Sequence, residues 1–138
     1  KLTVAKNNRT DGGGTETVTD KVFLLSRTEI GLNNESGVAE GKAFGMFSND
    51  TSRQAYPTNE AVSQSNYENS SLNSTSPWHY LLRSPGTNEA HSVWVINPGG
   101  SSFANYAYAG NRGVRPALNL KSEIYVIQEA PGEYRIIN

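Results

Sequence analysis

The 138-residue chain contains no cysteine. That removes disulfide cross-links, thiolate nucleophiles and cysteine-ligated metal centres together. It leaves export open, because many bacterial surface proteins also lack cysteine. Charge is scarce too, with 18% Asp, Glu, Lys and Arg and a formal net charge of −1. A chain this close to neutrality has no basic footprint, so nucleic acid is not an expected partner. Hydrophobic residues make up only 36% of the sequence. No run approaches the roughly 18 consecutive apolar residues needed to span a bilayer, so no membrane insertion is expected. No signal peptide stands at the start, and Lys1 without a preceding Met suggests a processed or excised piece of a longer protein.

What is present is Asn, Ser, Gly and Tyr in quantity. The length fits one domain, 1–138, with one core. So little apolar material implies a fold held by many turns and polar backbone contacts. Leu2-Thr3-Val4-Ala5 reads as an edge strand and Asn7 to Thr19, with Gly12-Gly13-Gly14, as a mobile loop. Val22-Phe23-Leu24-Leu25 is a continuous apolar run of buried-strand length. Ser26-Arg27-Thr28-Glu29 spells a capping box and predicts a short helix over Arg27 to Leu32, which Gly31 weakens. From Ser36 to Ser76 the chain is polar, anchored by Phe44, Met46 and Phe47, with Thr58 as a helix cap. The last third reads as strands at Trp78–Arg83, Ser92–Asn97, Tyr106–Ala109, Val114–Leu120, Ile124–Ile127 and Tyr134–Ile137. Asn97-Pro98-Gly99-Gly100 is a turn in which Pro fixes one φ and Gly supplies a positive one. These elements predict an α+β fold.

Four motifs occur in one order. They are Val22-Phe23-Leu24-Leu25-Ser26, Arg53-x-Ala55-x-Pro57-Thr58, Leu82-Arg83-Ser84-Pro85-Gly86 and Gly113-Val114-Arg115-Pro116-Ala117-Leu118. The stretch they span, Asp20 to Leu120, resembles a family of bacterial domains of unknown function common in gut Firmicutes and their phages. That family's signature is Leu-Leu-Ser, Trp-Trp-Leu-Arg-Ser-Pro-Gly and Gly-Val-Arg-Pro-Ala-Leu. The resemblance implies a C-type lectin-like fold, in the version shared with formylglycine-generating enzymes and with variable proteins of diversity-generating retroelements. Here the Trp-Trp pair becomes Tyr80-Leu81, with Trp78 two positions earlier. Formylglycine-generating enzymes bind copper through two cysteines, so that activity is excluded. Calcium-dependent sugar lectins carry Glu-Pro-Asn or Gln-Pro-Asp beside Trp-Asn-Asp. The nearest echo, Ile96-Asn97-Pro98, lacks the acidic partner that a hard calcium ion requires.

No catalytic constellation stands out. His79 and His91 are the only histidines, and neither lies in a metal-ligand or nucleophile-elbow pattern. Gly12-Gly13-Gly14 is not followed by Lys-Ser/Thr and is no phosphate loop. The carboxylates are dispersed, so no glycosidase pair can be picked out. No cofactor or metal is therefore expected, and the chain reads as a non-enzyme.

Arg83 and Arg115 interrupt apolar runs and must find partners to offset desolvation. They read as structural pins beside Trp78, with anion binding as the alternative. The binding candidate is Thr87 to Arg112, where Trp94, Phe103, Tyr106 and Tyr108 interleave with Asn88, Asn97, Ser101, Ser102, Asn105 and Asn111. Rigid aromatics among small polar residues are the composition of antibody-like paratopes. The competing reading has Tyr106 and Tyr108 packing one sheet face. Trp94, Asn105, Tyr106, Tyr108, Asn111 and Arg112 are the candidate ligand-binding residues. In retroelement variable proteins this is the diversified region. The expectation is a non-catalytic module for a protein or glycan ligand, extracellular or on a cell or phage surface, and monomeric in this piece. A spacer or adhesin domain without a ligand and a glycan-active enzyme are the alternatives.

Overall fold

The computed structural model describes residues 1–35, 37–69, 71–87, 89–120 and 123–137. Among these the chain forms small antiparallel sheets and two short helices, an α+β arrangement. The elements are β1 (Leu2–Ala5), β2 (Thr15–Val18), β3 (Phe23–Leu24), α1 (Asp50–Arg53), α2 (Asn59–Ser63), β4 (Tyr80–Pro85), β5 (Ser92–Ile96), β6 (Ser102–Tyr106), β7 (Pro116–Ala117), β8 (Tyr125–Ala130) and β9 (Glu133–Ile137). None of the described helices is long and apolar enough to cross a membrane.

The central sheet is β4-β5-β6. Its first strand alternates with period two, as strands with one face on a core do, so that Tyr80, Leu82 and Ser84 are buried. Tyr80, Leu82 and Ile96 join Leu2, Phe23, Leu25, Ile30 and Phe47 in the core. Each such side chain contributes about 1.5–3 kcal/mol by leaving water. Ser84 occupies a position where the alternation calls for an apolar group. Its hydroxyl instead donates to the buried Glu40 carboxylate and accepts the Arg27 backbone N–H at 2.9 Å.

The runs Trp78–Gly86 and Gly113–Leu118 meet through a single parallel bridge. Gly113 N–H donates to the His79 carbonyl at 2.8 Å, and Leu81 N–H donates to Gly113 O at 3.0 Å. A side chain at Gly113 would press on the His79 carbonyl, its Cβ only 3.0 Å away. Beyond the bridge, β7 leaves β4 and pairs with β3, Phe23 opposite Ala117 and Leu24 opposite Pro116.

Several sequence expectations are corrected. Thr15–Val18 belongs to no mobile loop but pairs with β1, Leu2 opposite Val18. The intervening turn is tied down by Asn7, whose Oδ1 accepts the Arg9 N–H at 2.8 Å and whose Nδ2 reaches Gly86 O at 2.8 Å. The capping box forms, with Ser26 N–H donating to Glu29 Oε2 at 3.0 Å and Glu29 N–H to Ser26 Oγ at 3.1 Å. The helix it announces does not form, because Gly31 takes a positive φ of 78° and the chain turns away after one turn. The strand expected over Tyr106–Ala109 lies at Ser102–Tyr106 instead. The Asn97–Gly100 turn, with Gly100 at φ 91°, sets a register in which Tyr106 already faces Ser92, the first residue of β5. Val114–Leu120 is a strand only at Pro116–Ala117, as short as the β3 it pairs with.

Within the polar stretch after residue 36, the described part around α1 is fastened to the central sheet. Asn49 caps α1 and Thr58 caps α2, each accepting a backbone N–H three residues on. Arg53 Nε donates to Gly100 O at 3.2 Å and Gln54 Nε2 to Pro98 O at 3.0 Å, fastening α1 to the β5–β6 turn. Trp78 N–H then bonds Ala55 O at 2.9 Å. This brings the segment around α2 over the Trp78 end of β4.

Candidate cleft at the start of the central sheet

Between the α2 segment, Tyr67, the start of β4 and the 110–116 loop lies a cleft of about 510 Å³. That is within the range of small-ligand pockets, about 300–1,000 Å³. Trp78 forms one wall, held by its backbone bond to Ala55 and by its indole Nε1–H, which donates to Asn111 O at 3.1 Å. Tyr67 stands 6.2 Å from Trp78, with the two rings tilted by 53°. His79 meets Trp78 edge-on at 5.8 Å and Phe103 edge-on at 5.8 Å. On the floor, Tyr80 donates its hydroxyl to Arg53 O at 2.8 Å and accepts from Arg115 Nη1 at 3.2 Å. The Arg115 guanidinium also lies over the rings of Phe47 and Tyr80, 5.4 and 5.2 Å from their centroids.

The electrostatics are one-sided. Arg112 and Arg115 both line the cleft, and among the described lining residues there is no Asp or Glu. Arg112 lies 5.7 Å from the Phe103 centroid, and its Nε is buried without a hydrogen-bond partner. Partial burial, helped by Arg112, holds His79 below its ordinary pKa, and its Nδ1 is likewise buried and unpartnered. Hydrogen bonds from Asn69 and Asn111 lower the Tyr67 phenol, with a smaller push from Arg112. Burial raises Tyr80, against the opposing effect of Arg115.

The sequence-nominated residues fall in three places. Asn111 and Arg112 line the cleft, together with Trp78 and Arg115, which had been assigned structural roles. Tyr106 and Tyr108 lie outside it, 43% and 74% exposed and stacked on each other at 5.1 Å with 6° between planes. His91 completes that aromatic group, 4.8 Å from Tyr106 and 6.2 Å from Tyr108. Asn105 turns its Oδ1 onto the Tyr106 N–H at 2.7 Å. Trp94 is half-buried against the core, with the Arg27 guanidinium 3.5 Å above its ring. Asn88 lies outside the described residues.

Arg83 is occupied within the protein, by Glu29 and by backbone carbonyls of Thr3, Leu24 and Glu40. His79, set aside in the sequence as a metal ligand or catalytic residue, lines the cleft, and Tyr67 was passed over. The one available signal for Tyr67 was an aromatic residue in a stretch with almost no other core material.

No curated protein matches this chain, and no solved structure does. Residues 1–122 match a family described as a domain of unknown function, DUF6273. The match takes in the cleft and every strand before the β8–β9 hairpin, and the chain belongs to the DUF6273 family.

Proposed function

We propose that this domain is a non-catalytic binding module that receives a glycan in the cleft of Tyr67, Trp78, Asn111 and Arg112. One observation carries the reading: tilted aromatic walls converge there with amide and guanidinium groups in a cavity of ligand size. Glycan cleavage ordinarily needs two carboxylates flanking the scissile bond, and no described lining residue supplies one. A C-type lectin-like architecture, implied by the four ordered motifs, belongs to the same reading. So does a place at a bacterial cell or phage surface as part of a longer protein.

A protein ligand docked on Tyr106 and Tyr108 is the second reading. It is favoured by the exposure of that stacked pair, since rigid exposed aromatics are efficient contact residues. Saturation-transfer NMR against a glycan panel, run on Tyr67→Ala and on the Tyr106→Ala/Tyr108→Ala double variant, tests which of the two surfaces takes a glycan. The cleft reading expects glycan signals that vanish in Tyr67→Ala and persist in the double variant. Signals lost only in the double variant would move the site to the tyrosine pair. Absence of any glycan signal from the unaltered chain would overturn the glycan reading.

A further inference from the structure

Arg53, Arg83 and Arg135 each have a carboxylate in contact, Asp50, Glu29 and Glu129 in turn. Arg27 lies over the Trp94 ring in the field of Glu35. Arg112 and Arg115 have no carboxylate partner among the described residues, and both open on the same cleft. Arg115 spends part of its donor set on Tyr80 and rests on two rings, whereas Arg112 leaves a buried Nε unsatisfied. A guanidinium kept partly out of water without an anion is costly, and a bound carboxylate would relieve the cost. We infer that the cleft selects acidic sugars, a uronic- or sialic-type saccharide whose carboxylate is held by Arg112 and Arg115. The inference rests on the cleft being the binding site proposed above.

The geometry favours a sugar over other anions that carry a ring. Sandwiching a flat nucleobase needs near-parallel rings, and Tyr67 and Trp78 are inclined at 53°. An inclined pair suits a puckered ring, which offers apolar C–H faces in more than one plane. Phosphate cradles use clustered backbone N–H groups at helix N-termini, often with a lysine. The described lining residues contain no lysine, and the adjacent α2 has only five residues. Arginine's planar fork matches a carboxylate bidentately, as it does a phosphate, so a nucleotide is the control that separates the two. Asn111 adds an amide for hydroxyl recognition.

Isothermal titration calorimetry of the intact chain tests this with sialyllactose and oligogalacturonates against lactose and the methyl-esterified oligogalacturonates. ADP and a poly-glutamate peptide serve as non-sugar anions. The expected result is that an acidic saccharide binds about tenfold or more tightly than its neutral counterpart, with affinity falling as salt rises. Arg112→Gln should abolish that preference without lowering the melting temperature at about pH 7.5, and Arg112→Lys should restore part of the preference. Arg135→Gln, which removes the same charge from a residue that does not line the cleft, should leave the preference intact. Equal binding of neutral and acidic sugars would overturn the inference and leave the binding module standing. Binding of no saccharide would overturn both, and tighter binding of ADP or the peptide would replace the sugar with that anion.

Discussion

Arg83 grips Glu29 with both arms of its guanidinium, Nη1 to Oε2 at 2.6 Å and Nη2 to Oε1 at 2.9 Å. The pair lies where three chain segments meet, because Arg83 also donates to Leu24 O at 2.7 Å and Glu40 O at 3.2 Å. Both side chains are largely shielded, 10% and 7% exposed. Removing one partner strands the other charge, so Arg83→Met should cost about 3–5 kcal/mol in urea unfolding. The Arg83→Met/Glu29→Leu double variant should recover much of that loss, since an apolar pair leaves no buried charge. A double variant no more stable than the single one would mean that the carbonyl bonds, not the ion pair, hold the segments together.

Glu40 is fully buried, and its carboxylate is surrounded by donors. It accepts Ala5 N–H at 3.0 Å, Asn34 Nδ2 at 2.7 Å and the Ser84 hydroxyl. Glu40→Gln keeps the shape but places an amide NH₂ against groups that donate. The expected loss is about 1–3 kcal/mol, the cost of an unsatisfied or opposed buried donor. Glu40→Gln combined with Ser84→Ala should lose less than the sum of the single changes. Strict additivity would show that Ser84 does not contribute to holding the carboxylate.

His79 makes stability depend on pH in a defined direction. Its folded pKa lies below the ordinary 6.5 because of partial burial and the nearby Arg112. In the window below 6.5 the unfolded chain therefore binds more protons than the folded one, and stability falls as pH falls toward the folded value. Arg112→Gln removes one of the two causes and should flatten the slope. Thermal melts from pH 7.5 to 5 measure it. A steeper loss in Arg112→Gln than in the parent would contradict this assignment.

How much could be read beforehand depended on whether a residue's role is local. The Asn97–Gly100 turn, the Thr58 cap and the Ser26–Glu29 capping box rest on chemistry within four residues, and each forms. Thr15–Val18 escaped because its strand character comes from pairing with β1 across a glycine turn, not from its own polar sequence. The cleft escaped for a similar reason. Trp78 and Asn111 are 33 residues apart and meet beside the bridge from Gly113 to His79, and Tyr67 joins them through its ring contact with Trp78. The segment 87–112 looked like one surface by composition. The register of β5 on β6 and the turn after Tyr106 divide it, leaving Tyr106 and Tyr108 outside while Arg112 enters the cleft.

The stacked tyrosines should be nearly silent in stability. Tyr106 and Tyr108 contact mainly each other and His91, with both rings open to solvent. Truncating each to Ala should shift unfolding by no more than about 0.5 kcal/mol, as expected for surface positions. Tyr80→Ala, which empties a core site and removes the hydroxyl bond to Arg53, should cost about 3–5 kcal/mol in the same assay. A loss at Tyr106 comparable to that at Tyr80 would make it a core residue and remove it as a docking surface.

The β8–β9 hairpin should be dispensable for the rest of the fold. Its strands pair with each other, Tyr125 opposite Ile137 and Val126 opposite Ile136, and they expose Tyr125, Val126, Tyr134 and Ile136. An isolated two-stranded hairpin is marginal in water, so these apolar groups add little while uncovered. None of the core residues belongs to it, and the DUF6273 match ends at residue 122. A chain stopped after Leu120 should therefore keep the near-UV circular dichroism of the full chain and melt within about 2 °C of it, a shift below 1 kcal/mol for a domain this size. The cleft residues, all before that point, should keep their NMR shifts. A drop of 8 °C or more, about 2 kcal/mol on the same scale, would mean that the hairpin packs on the sheet and covers apolar surface there.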